Sequence, residues 1–144
     1  MDGRSMALLF AADRIDHLKR EIEPKLDAGT TVISDRYLLS SLAYQAEEAE
    51  RDWVLGLARG ILRPDLTVLL DLPIEVAAKR REAAGRPVER YDADSYLGKV
   101  AANYRDLAGQ DPSVVILDGA AAKDDVTAAL CRAIDRLFAP TGLA

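Results

Sequence analysis

The sequence has too little cysteine and histidine for the sites that these residues build. Its 144 residues include one cysteine, Cys131, and one histidine, His17. A disulfide framework needs pairs of cysteines, and a structural zinc site needs four thiolate or imidazole ligands, so both are excluded. A lone cysteine is typical of a reducing compartment, and we expect a cytoplasmic protein.

Long apolar runs and an excess of positive charge are also absent. No run approaches the roughly 20 apolar residues of a membrane-spanning helix. No basic, apolar, small-residue pattern is seen at the start of the sequence, so we expect no secretory signal. Lysine and arginine number 19 against 24 acidic residues, a net charge of −5. Because non-specific binding to nucleic acid or anionic lipid needs clustered positive charge, we expect neither partner.

The composition is that of one globular domain over residues 1–144, since 49% of the residues are hydrophobic and 30% are charged. Apolar residues three or four apart predict a first helix whose buried face comprises Leu9, Ala12, Ile15, Leu18, Ile22 and Leu26. Ser5 is the expected N-cap, and we expect a kink, or a break and restart, near Pro24.

Three short segments rich in β-branched or aliphatic residues predict buried strands at residues 30–34, 66–72 and 114–117. Helical patterns occupy the intervening and following segments, at residues 38–60 (two helices), 74–84, 92–108 and 124–138. This alternation predicts an α/β fold with a mainly parallel sheet. Ligands of such sheets bind where the carboxyl ends of the strands turn into loops.

Polar side chains suited to a phosphate ligand follow the first predicted strand. Asp35 could hold a magnesium ion, directly or through water, and Arg36 could clamp a phosphate with its planar fork. The alternative is a capping aspartate and a solvated arginine.

Phe10 and Arg14 lie one turn apart on the first helix. They could stack on a base and bind its phosphate, or be a core phenylalanine and a surface arginine.

The strings LLFAADR (residues 8–14), VISDRY (32–37) and SSLAYQ (40–45) together resemble the thymidylate kinase family. The string PDLTVLLDLP (64–73) and the segment Glu89-Arg90-Tyr91 resemble it too, so the resemblance covers nearly the whole chain. It implies a three-layer P-loop NTPase fold of the nucleoside monophosphate kinase type. It also implies transfer of the ATP γ-phosphoryl to dTMP with Mg²⁺, giving dTDP for dTTP biosynthesis, by an enzyme that is a homodimer when complete.

The resemblance further implies roles for individual residues. Asp35 and Arg36 match catalytic positions, Asp35 near the magnesium ion and Arg36 on the acceptor phosphate. The dTMP site would comprise Phe10, Arg14, Arg36, Ser41, Tyr44 and Tyr91, with Phe10 stacked on thymine, Tyr44 beneath the sugar and Gln45 as a neighbour. The ATP side would comprise Arg80 against adenine, the turn Asp118-Gly119-Ala120, and Arg86 and Arg90 as candidate lid arginines.

The family's Gly-rich G-x-x-x-x-G-K-[ST] loop is not found in these 144 residues. We expect the first two strands of the family domain to be missing, and the complete protein to carry them upstream. In the family sheet, the strand before this loop lies between the segments matching 30–34 and 66–72, so the edges of these two segments that face the missing strand should be unpaired here. A non-catalytic nucleotide- or partner-binding remnant, or a kinase for another nucleoside monophosphate, stays an alternative.

Overall fold

The computed structural model describes residues 2–85 and 94–139, and the chain divides into two compact units, Met1–Arg63 (unit 1) and Pro64–Ala144 (unit 2). The expectation of one domain over residues 1–144 stays a prediction. The helices of unit 1 are α1 (Gly3–His17), a π-helical segment (Leu18–Ile22), α2 (Glu23–Asp27), α3 (Leu38–Gln45) and α4 (Arg51–Gly56). Unit 2 contains β1 (Thr67–Asp71), α5 (Ile74–Ala83), α6 (Asp94–Gln110), β2 (Val114–Asp118) and α7 (Lys123–Phe138). None of the helices in the described ranges has the length and apolar character needed to cross a membrane.

The first helix begins at a different cap from the predicted one and changes to π-helical geometry before Pro24. Asp2 is the N-cap, since its carboxylate accepts the Arg4 backbone N–H at 2.8 Å, and the Ser5 hydroxyl only donates to Asp2 at 2.7 Å. The helix widens to π geometry just before Pro24, where the Glu23 N–H reaches back five residues to the Leu18 carbonyl. The helix is therefore irregular near Pro24, because proline lacks an N–H and its ring crowds the preceding turn, but it continues without a break into α2.

The buried face of α1 differs from the predicted one in its first half. The buried residues are Ala7, Ala11 and Arg14, followed by Leu18 and Ile22 as predicted. The predicted Leu9 and Ile15 are instead 54% and 48% exposed. Apolar periodicity alone could not place this face, because one of its members is an arginine.

The predicted strand at residues 30–34 is wrong. The segment is irregular, and Ile33 is 88% exposed. A strand forms only where a neighbour takes up its backbone hydrogen bonds. No strand is described elsewhere in unit 1, so these backbone groups have no ladder to join.

The other two predicted strands are confirmed and form the sheet of unit 2. β1 and β2 pair in parallel, from Thr67 opposite Val114 to Asp71 opposite Asp118. Helix α6 contacts both strands, and α7 contacts β2. The strands are less buried than predicted, since Leu70 is 50% and Ile116 48% exposed, on opposite faces of the sheet. The fold of unit 2 is therefore α/β with a parallel sheet, whose two strands end side by side.

Candidate functional site

Arg14 is the buried cation of unit 1. Its side chain projects from α1 towards α3, where the guanidinium donates a hydrogen bond to the Ser41 hydroxyl. Only 9% of Arg14 is exposed, and this burial lowers its pKa, against the opposite influence of Tyr37 and Asp13. Arginine stays charged in proteins, so the site holds a desolvated positive charge. The alternative of a surface arginine is wrong.

Gln45 adds a buried acceptor next to this cation. Arg14, Ser41 and Gln45 line a small cavity of about 10 Å³ together with apolar residues of α1, α4 and the following turn. The Gln45 side-chain oxygen is buried and has no hydrogen-bond partner within the described ranges. Sequence reasoning noted this residue only as a neighbour. Its spacing of four from Ser41, which puts both on one face of α3, was the available signal.

Arg36 occupies an unusual backbone conformation beside Tyr44. Its φ is 65°, in the left-handed region, and its guanidinium carbon lies 5.3 Å from the centre of the Tyr44 ring. That distance is within the range of a cation–π interaction. Asp35 directly precedes it and is exposed. Arg36 and Tyr44, both predicted for the acceptor site, are thus brought together.

Phe10 lies on α1 one turn before Arg14 and is 44% exposed. The alternative of a core phenylalanine is therefore wrong. A half-exposed aromatic ring next to a buried arginine leaves apolar surface on which a planar ligand can stack. Unit 1 thus presents Phe10 and Arg14 from α1, Ser41 and Tyr44 from α3, and Arg36 from the loop before α3.

In unit 2, the predicted adenine-side residues are brought together at the carboxyl end of β2. The Arg80 guanidinium donates to the carbonyl of Gly119 at 2.7 Å and to that of Ala120 at 3.5 Å. The Asp118 carboxylate accepts the Ala120 backbone N–H at 2.8 Å. These bonds lie in the plane of the guanidinium, and Arg80 is an exposed residue, so its flat faces can stack on a ligand.

The same turn is fastened to the neighbouring strand. The Gly119 N–H donates to the Asp71 carbonyl at 2.7 Å, and a Cβ at Gly119 would lie 3.2 Å from that oxygen. The Arg105 Nε–H donates one bifurcated hydrogen bond to the two oxygens of the Asp71 carboxylate, at 3.0 and 2.9 Å, and the pairing raises the pKa of Arg105. Nothing in the spacing of the sequence pointed to a pairing of Asp71 with Arg105.

Three predicted site residues, Arg86, Arg90 and Tyr91, lie outside the described residues.

Within residues 2–85 and 94–139, no three acidic, histidine or cysteine side chains gather into a metal site. Mg²⁺ commonly binds through one or two carboxylates, waters and the phosphates of a substrate. One exposed carboxylate, Asp35, therefore fits a magnesium ion that arrives with a nucleotide.

Comparison with known proteins yields one family. The family model described as thymidylate kinase matches residues 1–130. A probable thymidylate kinase of Thermococcus onnurineus is 42% identical over 121 residues, which are 83% of this chain and 59% of the relative. One of Pyrobaculum aerophilum is 41% identical over 138 residues, 95% of this chain and 71% of the relative. A thymidylate kinase of Thermomicrobium roseum is 43% identical over 113 residues, 74% and 54% of the two chains. The chain thus spans 59% of the length of the first of these relatives.

Proposed function

The chain belongs to the thymidylate kinase family, and from that premise we propose that the protein transfers the γ-phosphoryl group of ATP to dTMP, giving dTDP and ADP. The residues that we assign to dTMP lie in unit 1, and those that we assign to adenine lie in unit 2. The observation that carries the proposal is the acceptor side. One helix pair and its loop supply a buried cation, an exposed aromatic ring and a second cation stacked on a tyrosine.

On the acceptor side, we assign each residue a role in dTMP binding that its burial and contacts support. Phe10 offers its exposed face to the thymine ring. Arg14 and Gln45 line a small cavity of about 10 Å³ with one charged donor and one unpaired acceptor, and the Arg14 charge suits the phosphate of dTMP. Arg36, over Tyr44, binds the acceptor phosphate next to the sugar. Ser41 keeps Arg14 oriented.

On the ATP side, Arg80 stacks on adenine while its edge holds the turn Asp118-Gly119-Ala120. Arg86 and Arg90 are our candidates for the arginines that neutralise the transferring group, and Tyr91 for covering the nucleoside. These three stay predictions from the sequence.

Phosphoryl transfer needs positioning and charge neutralisation more than covalent help from the protein. The acceptor is already a phosphate, so no strong general base is required. Asp35 would hold Mg²⁺, and the ion supplies positive charge to the phosphate oxygens when it is bound with ATP. Arg36 fixes the attacking oxygen and offsets the repulsion between two anionic substrates.

The proposal is tested by incubating the complete protein, with the upstream segment that the sequence leads us to expect, with dTMP, ATP and Mg²⁺ and separating the nucleotides by chromatography. We expect dTDP and ADP in equal amounts, and loss of both products in the Arg36→Ala variant. Arg20→Ala is the matched control, because Arg20 is an exposed arginine paired with Asp16 at 2.7 Å. Binding of dTMP without turnover would favour the binding-remnant alternative, and preference for dCMP or dGMP would favour another monophosphate kinase.

We also propose that the protein is a homodimer. Leu8 and Ile15 lie seven residues apart, on one face of α1, and are 51% and 48% exposed. Apolar residues at this spacing suit packing against a second copy of the helix. Sedimentation analysis tests this: the Leu8→Glu and Ile15→Glu variants should be monomers, whereas a wild-type monomer would contradict the proposal.

The lone exposed Cys131 suits a reducing compartment, so we propose that the protein is located in the cytoplasm.

A further inference from the structure

Two side chains without a role in the site hold the loop that carries Arg36. The Ser34 hydroxyl donates to the Arg36 carbonyl at 2.8 Å, and the Tyr37 hydroxyl donates to the Leu62 carbonyl at 2.9 Å. They flank the left-handed backbone at Arg36, where φ is 65°. A non-glycine residue keeps such a conformation only where its surroundings hold it there.

The Ser34 bond closes a tight loop across Asp35 and fixes the direction of the Arg36 carbonyl. Because the chain reverses at this left-handed residue, the Arg36 side chain lies back over α3, 5.3 Å from the centre of the Tyr44 ring. An extended residue at this position would carry its side chain elsewhere. The location of the guanidinium therefore depends on the turn, and the turn is closed by Ser34.

Tyr37 holds the other end of the loop. It is the residue at which α3 begins, and its bond to Leu62 ties that start to the segment after α4. Partial burial raises the pKa of the Tyr37 hydroxyl, which keeps the group protonated as a donor near neutral pH. The bond fixes the first turn of α3, the helix that also carries Ser41 and Tyr44.

We propose that Ser34 and Tyr37 are positioning residues for the acceptor phosphate. They hold Arg36 in its left-handed turn, with the guanidinium over Tyr44, before any nucleotide binds. This inference rests on the proposed function, since only an anionic ligand at Arg36 makes the place of its guanidinium matter.

The first test is calorimetric titration of dTMP into the full chain and its variants. Ser34→Ala should weaken dTMP binding about fivefold, the usual net effect of one hydrogen bond, and Tyr37→Phe by a similar factor. Ser34→Thr keeps the hydroxyl and should restore the affinity. The matched control is Ser113→Ala in unit 2, which removes a comparable bond to a residue two positions away, at 2.6 Å. Wild-type affinity in Ser34→Ala, or no restoration in Ser34→Thr, would overturn the inference.

A second readout does not depend on binding. In crystal structures of unliganded Ser34→Ala, we expect residue 36 to leave the left-handed region and its guanidinium to leave the Tyr44 ring. An unchanged Arg36 would overturn the inference, even if dTMP binds the wild type. A wild-type chain that fails to bind dTMP would contradict the proposed function instead, while the crystal structures still decide whether Ser34 holds the turn.

Discussion

The left-handed backbone at Arg36 predicts that glycine will be more stable than alanine at this position, the reverse of their order in an ordinary helix. Arg36 has a φ of 65°, and a residue with a Cβ there costs about 1–2 kcal/mol. Glycine relieves that strain but gives up roughly 0.5–1 kcal/mol through its greater freedom in the unfolded chain. Both substitutions lose the same cation–π contact with Tyr44, worth about 0.5–1 kcal/mol at an exposed site. Arg36→Gly should therefore be more stable than Arg36→Ala by about 0.5–1 kcal/mol.

Asp13 provides the matched control, because it is an exposed residue within α1. Glycine in an exposed helix interior is less stable than alanine by about 1 kcal/mol, so Asp13→Gly should be less stable than Asp13→Ala. The order of glycine and alanine is thus reversed between the two positions.

Urea unfolding followed by fluorescence measures both pairs in the same unit. The chain has one tryptophan, Trp53, which lies on α4 of unit 1, so its signal reports on the unit that carries both sites. Neither Arg36 variant should bind dTMP, which separates the gain in stability from function. If Arg36→Gly were no more stable than Arg36→Ala while the Asp13 pair behaved as expected, the strain argument would be refuted.

Three further predictions concern the pocket, the turn of unit 2 and acid stability. Gln45→Leu removes a buried acceptor without a partner and should stabilise the chain by about 1 kcal/mol in urea unfolding; a destabilised variant would show that the oxygen is satisfied. Gly119→Ala should cost about 1 kcal/mol, because its Cβ would lie 3.2 Å from a strand carbonyl. Gly109→Ala has open space in α6 and should gain about 0.5–1 kcal/mol, so equal thermal shifts would contradict this contrast. The Arg4 guanidinium holds the pKa of Glu50 below its ordinary value of 4.5, so this pair stabilises the fold above that pH and the contribution is lost on acidification through the lowered pKa. Glu50→Gln should flatten the loss of stability below about pH 4.5 in acid titrations followed by Trp53 fluorescence, and an unchanged slope would count against the pair.

Local pattern was enough for elements whose stability is local. Helices α5 and α7 and the strands of unit 2 begin and end within a few residues of the predicted positions, and the helix is irregular just before Pro24. These features depend on helical spacing, proline chemistry and continuous aliphatic runs, which are all properties of short segments. The residue types of the acceptor site were also predicted, because the strings around Phe10, Arg36 and Tyr44 resemble one family.

Features that depend on a distant partner could not be predicted in this way. Residues 30–34 have the composition of a strand but no neighbouring strand within unit 1, so they stay irregular with Ile33 exposed. Burial of Arg14 depends on Ser41, 27 residues away, which accepts its hydrogen bond. The link from Arg105 to Asp71 joins residues 34 positions apart, and the left-handed turn at Arg36 appears in no residue pattern.

Residue patterns were therefore sufficient to identify the family and the chemical types of side chain expected at the site, since spacing and residue identity are local and carry over by resemblance. The buried face of α1, the acceptor that Gln45 adds beside Arg14, and the approach of Arg36 to Tyr44 became visible in the folded structure alone. Those outcomes depend on whether a distant group satisfies a buried donor or acceptor, and that is decided only when the chain folds.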